Sequence, residues 1–321
     1  MEDRHFMPGE AAVAGIRADI ERCEAERRRA RRGLLWRVPV FDGLTVLAIL
    51  MAAWVLNGLA DPNEQWRSAL HVFLYVLGFG VLSLVHWRAI GPARRLQRSL
   101  RERILPSVFG FIGGVSYQHG KTPASFDRLP PEAVGSYDRA DFDDVVTGRY
   151  GGFHFELYEA ILGHRGGKPG PAVFKGVVVS FEAITPFPGV LVATRLTERP
   201  AAFFKGFFGG DNLQTLQSGI PELDATYEFL TDNVDEARPL VTGRLAKALR
   251  WLGETWPEEP SRVALKNGDG FLLIPLSKNL FELPGMWEPL DYKRHAEPMI
   301  ADIGALLATA ALVRKAGEAE P

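Results

Sequence analysis

Several groups of residues in this 321-residue chain have types and spacings that invite chemistry. Gly114-Val-Ser-Tyr-Gln-His-Gly-Lys-Thr122 has the composition of a phosphate-binding loop, in which backbone amides and a lysine cradle phosphate oxygens ahead of a helix. It places five residues between its glycines where that loop requires four, and no apolar strand leads cleanly into it. Gly163-His-Arg-Gly-Gly-Lys168 is followed by Pro169 where a magnesium-holding Ser or Thr belongs, and it reads as a hairpin loop. His154 and Glu156 share one face of a strand and are suitable metal ligands. No companion His pair or carboxylate cluster stands at suitable spacing, so a solvent-facing polar pair is the expectation. No G-x-S-x-G nucleophile elbow occurs in the sequence. The single cysteine, Cys23, excludes an intramolecular disulfide, a cysteine-based zinc site and a CxxC redox pair. The expectation is therefore no catalytic, metal or cofactor-binding residues and a non-enzymatic protein, the alternative being a membrane-tethered enzyme whose site is built from residues too scattered to read in the sequence.

Binding surfaces are the other kind of chemistry. Lys175, between Phe174 and Gly176, is a strand lysine whose stem packs on a sheet, or else a contact for a partner. The run Phe203-Phe204-Lys205-Gly206-Phe207-Phe208 fits a soluble surface loop poorly. Two readings stand for it: a core strand with alternate residues buried, or a wedge that dips into a bilayer or a partner. Asp232, Glu236 and Arg238 bracket a helix start, where capping and a local ion pair account for them.

The elements that must position these residues begin with two apolar blocks, at about 38–60 and 68–87. Each is close to the twenty or so residues that a helix needs to cross a bilayer. Trp36, Trp54, Trp66 and Trp87 stand at or near their edges, where indole rings settle. Overall the charge is nearly balanced, at -2, but its distribution is not. Arg28, Arg29, Arg31 and Arg32 precede the first block, and Arg94 and Arg95 follow the second. The connecting turn, Asp61-Pro-Asn-Glu-Gln65, has no basic residue, and only Arg67 follows it. This asymmetry predicts a transmembrane hairpin with both termini in the cytoplasm, the arginines serving as topology signals and head-group contacts. Nucleic acid is the poorer explanation for so local a basic bias.

Ala11–Arg32 reads as a basic helix with a seam of Val13, Ile16, Ile20 and Cys23, suited to a short coiled coil or to a solvated juxtamembrane helix. Arg88–Ile104 is a second basic helix, and Gly113–Gly135 reads as loop-rich. Beyond Ser136, Phe153–Tyr158 alternates as a strand, and Ala172–Glu182 and Gly189–Leu196 are two further strands. Asn233–Trp251 is a helix capped by Asn233, with Leu245, Leu249 and Leu252 on one face. Arg262–Pro275 reads as a hairpin around Asn-Gly-Asp-Gly. Glu297–Lys315 is a closing helix in which Pro298, Asp302 and modest length argue against a third span. The class is α+β: residues 1–37 a basic helix, 38–90 the hairpin, 91–135 a basic helix and linker, and 136–321 a cytoplasmic α+β domain with a largely antiparallel sheet.

The order and spacing of several short motifs resemble the DUF3137 family of bacterial membrane proteins. They are Tyr137-Asp138, Val146-Thr-Gly-Arg149, Phe155-Glu-Leu-Tyr-Glu159, Val173-Phe-Lys-Gly-Val177, Tyr227–Asp232 and Glu236-Ala-Arg238. The Phe-rich segment departs from the more polar connection expected there. The resemblance implies an architecture and a bacterial membrane location, and it supplies no catalytic residues to carry over. The reading expected from all this is a multi-pass inner-membrane protein. Its partners are the lipid bilayer and a protein, or a second copy of itself.

Overall fold

The computed structural model describes residues 7–59, 66, 68–164, 173–196, 213–257 and 261–317. They form two compact units, one built on Leu105–Glu282 and the residues from Lys293, the other on Gly15–Ile104 with Leu283–Tyr292.

The second unit is a pair of long helices, α1 (Glu10–Leu59) and α2 (Ala69–Val108). Each merges a basic helix and an apolar block that the sequence reading kept apart. Pro39 sits inside α1 without ending it, at the loss of one backbone donor. The helices run antiparallel, as three contacts along their length show. Arg103 pairs with Glu26 at 2.7 Å, His86 meets Asp42 at 2.8 Å, and His71 Nε2 lies 3.1 Å from the Ala53 carbonyl. Gly78 lets the Ile49 side chain approach, since a Cβ there would stand 2.9 Å from Ile49 Cδ1. Among the described residues, three helices are long and apolar enough to cross a membrane by length and composition: α1, α2 and the helix ending at Arg314. Only 6% and 11% of the most apolar windows of α1 and α2 is buried, against 61% for the third.

The first unit is α+β. Among the described residues its sheet has seven strands, and every pairing is antiparallel. In chain order these are β1 (Gly113–His119), β2 (Arg139–Tyr150), β3 (Phe153–Gly163), β4 (Phe174–Arg195), β5 (Gln214–Leu216), β6 (Tyr227–Thr231) and β7 (Arg262–Pro275). The stretch read as loop-rich from Gly113 thus opens with an edge strand. β4 is the spine: β3 flanks its first half, β6 its second, and β7 the opposite side along nearly its whole length.

Two expectations change here. The strands expected at Ala172–Glu182 and Gly189–Leu196 are one strand, bent by register shifts between Glu182 and Val190. The hairpin expected at Asn267-Gly-Asp-Gly270 is a continuous β7. Asn267 takes φ 54° there, and Phe187 of the bend stands opposite it. The local turn signal is spent on a kink that keeps β7 in step with β4, because pairing along a long neighbour outweighs a two-stranded turn.

Both sheet faces are covered. Tyr158, Val178, Val192, Phe271 and Leu273 form one apolar layer together with Leu129, Ala133 and Val134. The helices α3 (Val234–Thr242), α4 (Arg244–Thr255) and α5 (Glu297–Arg314) pack with β4, β7 and one another. Asn233 is the N-cap, its side chain accepting from the Glu236 amide, and Leu245, Leu249 and Leu252 are buried as expected. Gly243 divides α3 from α4 where one helix was expected.

Candidate functional site

In the helical unit, α1 and α2 enclose a cavity of about 500 Å³. Leu34, Leu35, Val38 and Pro39 of α1 line it opposite Ile90 and Ala93 of α2, and Met286 and Trp287 form the third wall. Its polar margin is His86, Arg94 and Gln97. The wall is held by buried charge. Arg27, only 1% exposed, donates to the carbonyls of Pro284 (3.0 Å), Gly285 (2.5 Å) and Glu288 (2.9 Å). Glu24 accepts from the Leu290 amide at 3.1 Å and takes Arg31, which also donates to the Trp287 carbonyl at 3.3 Å. Gln97 donates to the Pro284 carbonyl at 2.9 Å. A guanidinium carries five N–H donors, so its burial is tolerable only where oxygens gather around it. Burial pushes the Arg27 pKa down, and Glu24 holds it up.

In the α+β unit, His119 of β1 and Asp143 and Asp144 of β2 each offer one ligand atom, all within 4.8 Å of one another. His119 Nδ1 lies 3.0 Å from Asp143 and 3.1 Å from Asp144. The Tyr117 hydroxyl donates to Asp144, and Asn279 Nδ2 donates to Asp143 at 2.7 Å. Consecutive strand residues normally face opposite ways, but a register shift between Phe142 and Val145 brings both carboxylates to His119. Glu159 of the adjacent strand is buried and accepts from the Leu280 amide. Burial above all, against the pull of the Leu280 amide and with the charges of Asp144 and Asp143, raises its pKa to about 8. A proton or a divalent cation would relieve the carboxylate crowding at such a cluster.

The residues singled out by the sequence fall elsewhere. His154 and Glu156 border a polar cleft with Arg128, Arg149 and Asp269. Glu156 accepts from the amides of Ala124 (3.0 Å) and Ser125 (2.7 Å), so it pins a loop, and His154 is exposed. Gly114–Thr122 lies largely on edge strand β1, with no helix at its end to receive a phosphate. Lys175 is exposed and donates to the Ser277 carbonyl at 3.0 Å. Asp232 accepts from the Val190 amide at 2.7 Å, tying β4 to the end of β6. Arg28, Arg29, Arg32, Arg94 and Arg95 are exposed, whereas Arg31 is half-buried. Phe203, Phe204, Phe207 and Phe208 lie outside the described residues. Sequence reasoning missed Arg27 as an anchor, because its partners are more than 250 positions away. It missed the acid cluster because strand alternation separates Asp143 from Asp144.

Residues 172–314 match the family model DUF3137, described as a protein of unknown function. The resemblance is borne out over that stretch. The DUF3137 segment runs from the start of β4 to the last residue of α5, and it contains the 283–292 segment that walls the cavity. The helices α1 and α2 and strands β1–β3 lie before it. Among solved structures, the crystal structure of the mycobacterial trehalose monomycolate transport factor A, TtfA, is similar at 14% identity and a TM-score of 0.36, covering 65% of this chain and 95% of that one. No curated protein matches the chain.

Proposed function

We propose that this chain is a multi-pass protein of the bacterial inner membrane. In this reading α1 and α2 form the transmembrane hairpin, both termini are cytoplasmic, and the α+β domain binds a lipid or protein partner at the membrane face. One observation carries the anchor: the apolar windows of α1 and α2 are almost wholly uncovered by the rest of the chain. Leu44, Leu47, Leu50, Phe73, Val76 and Phe79 all stand exposed, and each such side chain gains about 1.5–3 kcal/mol on leaving water. The arginines on the outer flanks supply the orientation. In this reading Phe203, Phe204, Phe207, Phe208 and Lys175 are contacts for the membrane or a partner, and Arg28, Arg29, Arg32, Arg94 and Arg95 contact head groups.

Alkaline carbonate extraction of native membranes, with a reporter fused at the turn between the helices, tests this directly. Retention in the pellet with an externally disposed turn is the expected outcome; release into the supernatant overturns the anchor. In the cytoplasmic domain separated from the helices, replacing Phe207 and Phe208 with serine is expected to lower vesicle binding while leaving the fold intact. Loss of folding would assign those rings to the core instead.

The His119–Asp143–Asp144 cluster favours a second reading, a membrane-tethered enzyme. Its members come from two strands, His119 from β1 and both aspartates from β2, a dispersion that a motif search does not see. Stoichiometric divalent metal in the purified chain, lost on Asp144→Asn, would support it.

A further inference from the structure

We propose that the cavity at the base of the helix pair holds one acyl chain of an anionic phospholipid, with Arg94 taking the phosphate. This rests on the membrane reading above and deepens it by assigning a ligand.

Three observations converge on that occupant. The first is position. Leu34, Leu35 and Val38 stand where α1 passes into its apolar block, and Ile90 and Ala93 where α2 leaves its own. If those blocks cross the bilayer, the cavity opens at the boundary between chains and head groups. The indoles of Trp36, Trp87 and Trp287, exposed by 57%, 65% and 62%, cluster around that level, as interfacial tryptophans do.

The second is chemistry. The walls are apolar, and the margin carries a cation. Arg94 is exposed, and its guanidinium stands 5.6 Å from the centre of the Trp87 ring, which sets its direction without consuming its donors. None of the described residues lining the cavity is acidic, and the nearby Asp42 faces His86 at 2.8 Å. A volume of about 500 Å³ lies within the range of small-ligand sites, roughly 300–1,000 Å³.

The third is preorganisation. The wall made by Met286 and Trp287 comes from a segment nearly two hundred positions beyond α2, fixed in place by Arg27, Glu24, Arg31 and Gln97. A surface that only needed to face lipid would not require a third wall from so far away. A rigid wall lowers the ordering cost of binding one chain.

The test uses the full chain, purified in mild detergent from vesicles holding equal phosphatidylglycerol and phosphatidylcholine, and examined by native mass spectrometry. Wild type is expected to retain one phosphatidylglycerol in preference to phosphatidylcholine. Arg94→Ala should reduce that preference about fivefold, the effect of one arginine near an anionic surface. Ala93→Phe should fill the cavity and abolish the adduct. A larger side chain at buried Ala93 can disturb helix packing, so Trp287→Ala serves beside it, with circular dichroism confirming the helices, and is expected to weaken retention of both lipids. Equal retention of the two lipids by wild type, or an unchanged preference in Arg94→Ala, overturns the proposal. Loss of the lipid site in a chain that still resists carbonate sinks the pocket alone, whereas carbonate release sinks the anchor.

Discussion

The two units handle apolar surface in opposite ways. In the α+β unit the large apolar side chains turn inward, and Ile161 and Ile184 are the exceptions among its described residues. In the helical unit Leu47, Leu50, Trp54, Phe73 and Phe79 turn outward, while Arg27, Glu24 and His71 are buried. Helix α5 shows that composition alone does not decide between these arrangements. Its apolar stretch qualifies as a span by length and hydropathy, yet most of it lies under the rest of its own unit. An apolar helix becomes a core helix when sheet and neighbouring helices cover it. Left uncovered, it requires another apolar solvent.

Charge insertion should break this comparison most sharply. Ile303→Arg, at a fully buried position of α5, would place an unpaired charge in the core. It is expected to cost more than about 5 kcal/mol and to leave the α+β unit protease-sensitive. Leu47→Arg, on the exposed face of α1, should leave that unit's melting temperature unchanged and lower membrane insertion by about 3 kcal/mol. Equal protease resistance in the two variants would erase the distinction. Next in size, Arg27→Ala removes one donor from each of three carbonyls, of which Pro284 keeps Gln97 and Gly285 keeps the Glu288 amide, and leaves Glu24 with less compensation. About 3–5 kcal/mol is expected, read as faster proteolysis within 283–292. Arg28→Ala, one residue on but exposed, should stay within about 0.5 kcal/mol.

A smaller effect is expected from pH. The folded Glu159 carboxyl titrates near 8, above its ordinary range, so the unit keeps this stability below the unfolded value and loses it as pH rises toward 8. Between pH 5.5 and 7.5 wild type should lose about 2–3 kcal/mol that Glu159→Gln does not, as denaturant midpoints would show. A parallel slope in the variant would place the titration elsewhere. Smallest is Asn233→Ala, which removes the α3 cap and should cost about 1 kcal/mol in the same assay.

What was legible in the chain was the local part. The alternation of Phe153, Phe155 and Leu157 identified a half-buried strand, and Asn233 followed by acids marked a helix start. Asn267-Gly-Asp-Gly270 misled because a turn-prone tetrapeptide and a strand kink use the same backbone conformations. Only the neighbouring strand selects between them. At the candidate sites, Arg94 and Arg95 were legible as basic flanks, but the cavity beside Arg94 was not. It needs Met286 and Trp287, whose place depends on hydrogen bonds from Arg27.

By itself the sequence determined periodicity, capping, the two apolar blocks and the arginine asymmetry around them, since each of these arises among residues close along the chain. Tertiary structure decided which apolar helix is covered, which arginine is buried, and that a bulge gathers Asp143 and Asp144 at His119. Those outcomes rest on contacts between distant segments, where burial and hydrogen bonding across the fold outweigh local preference.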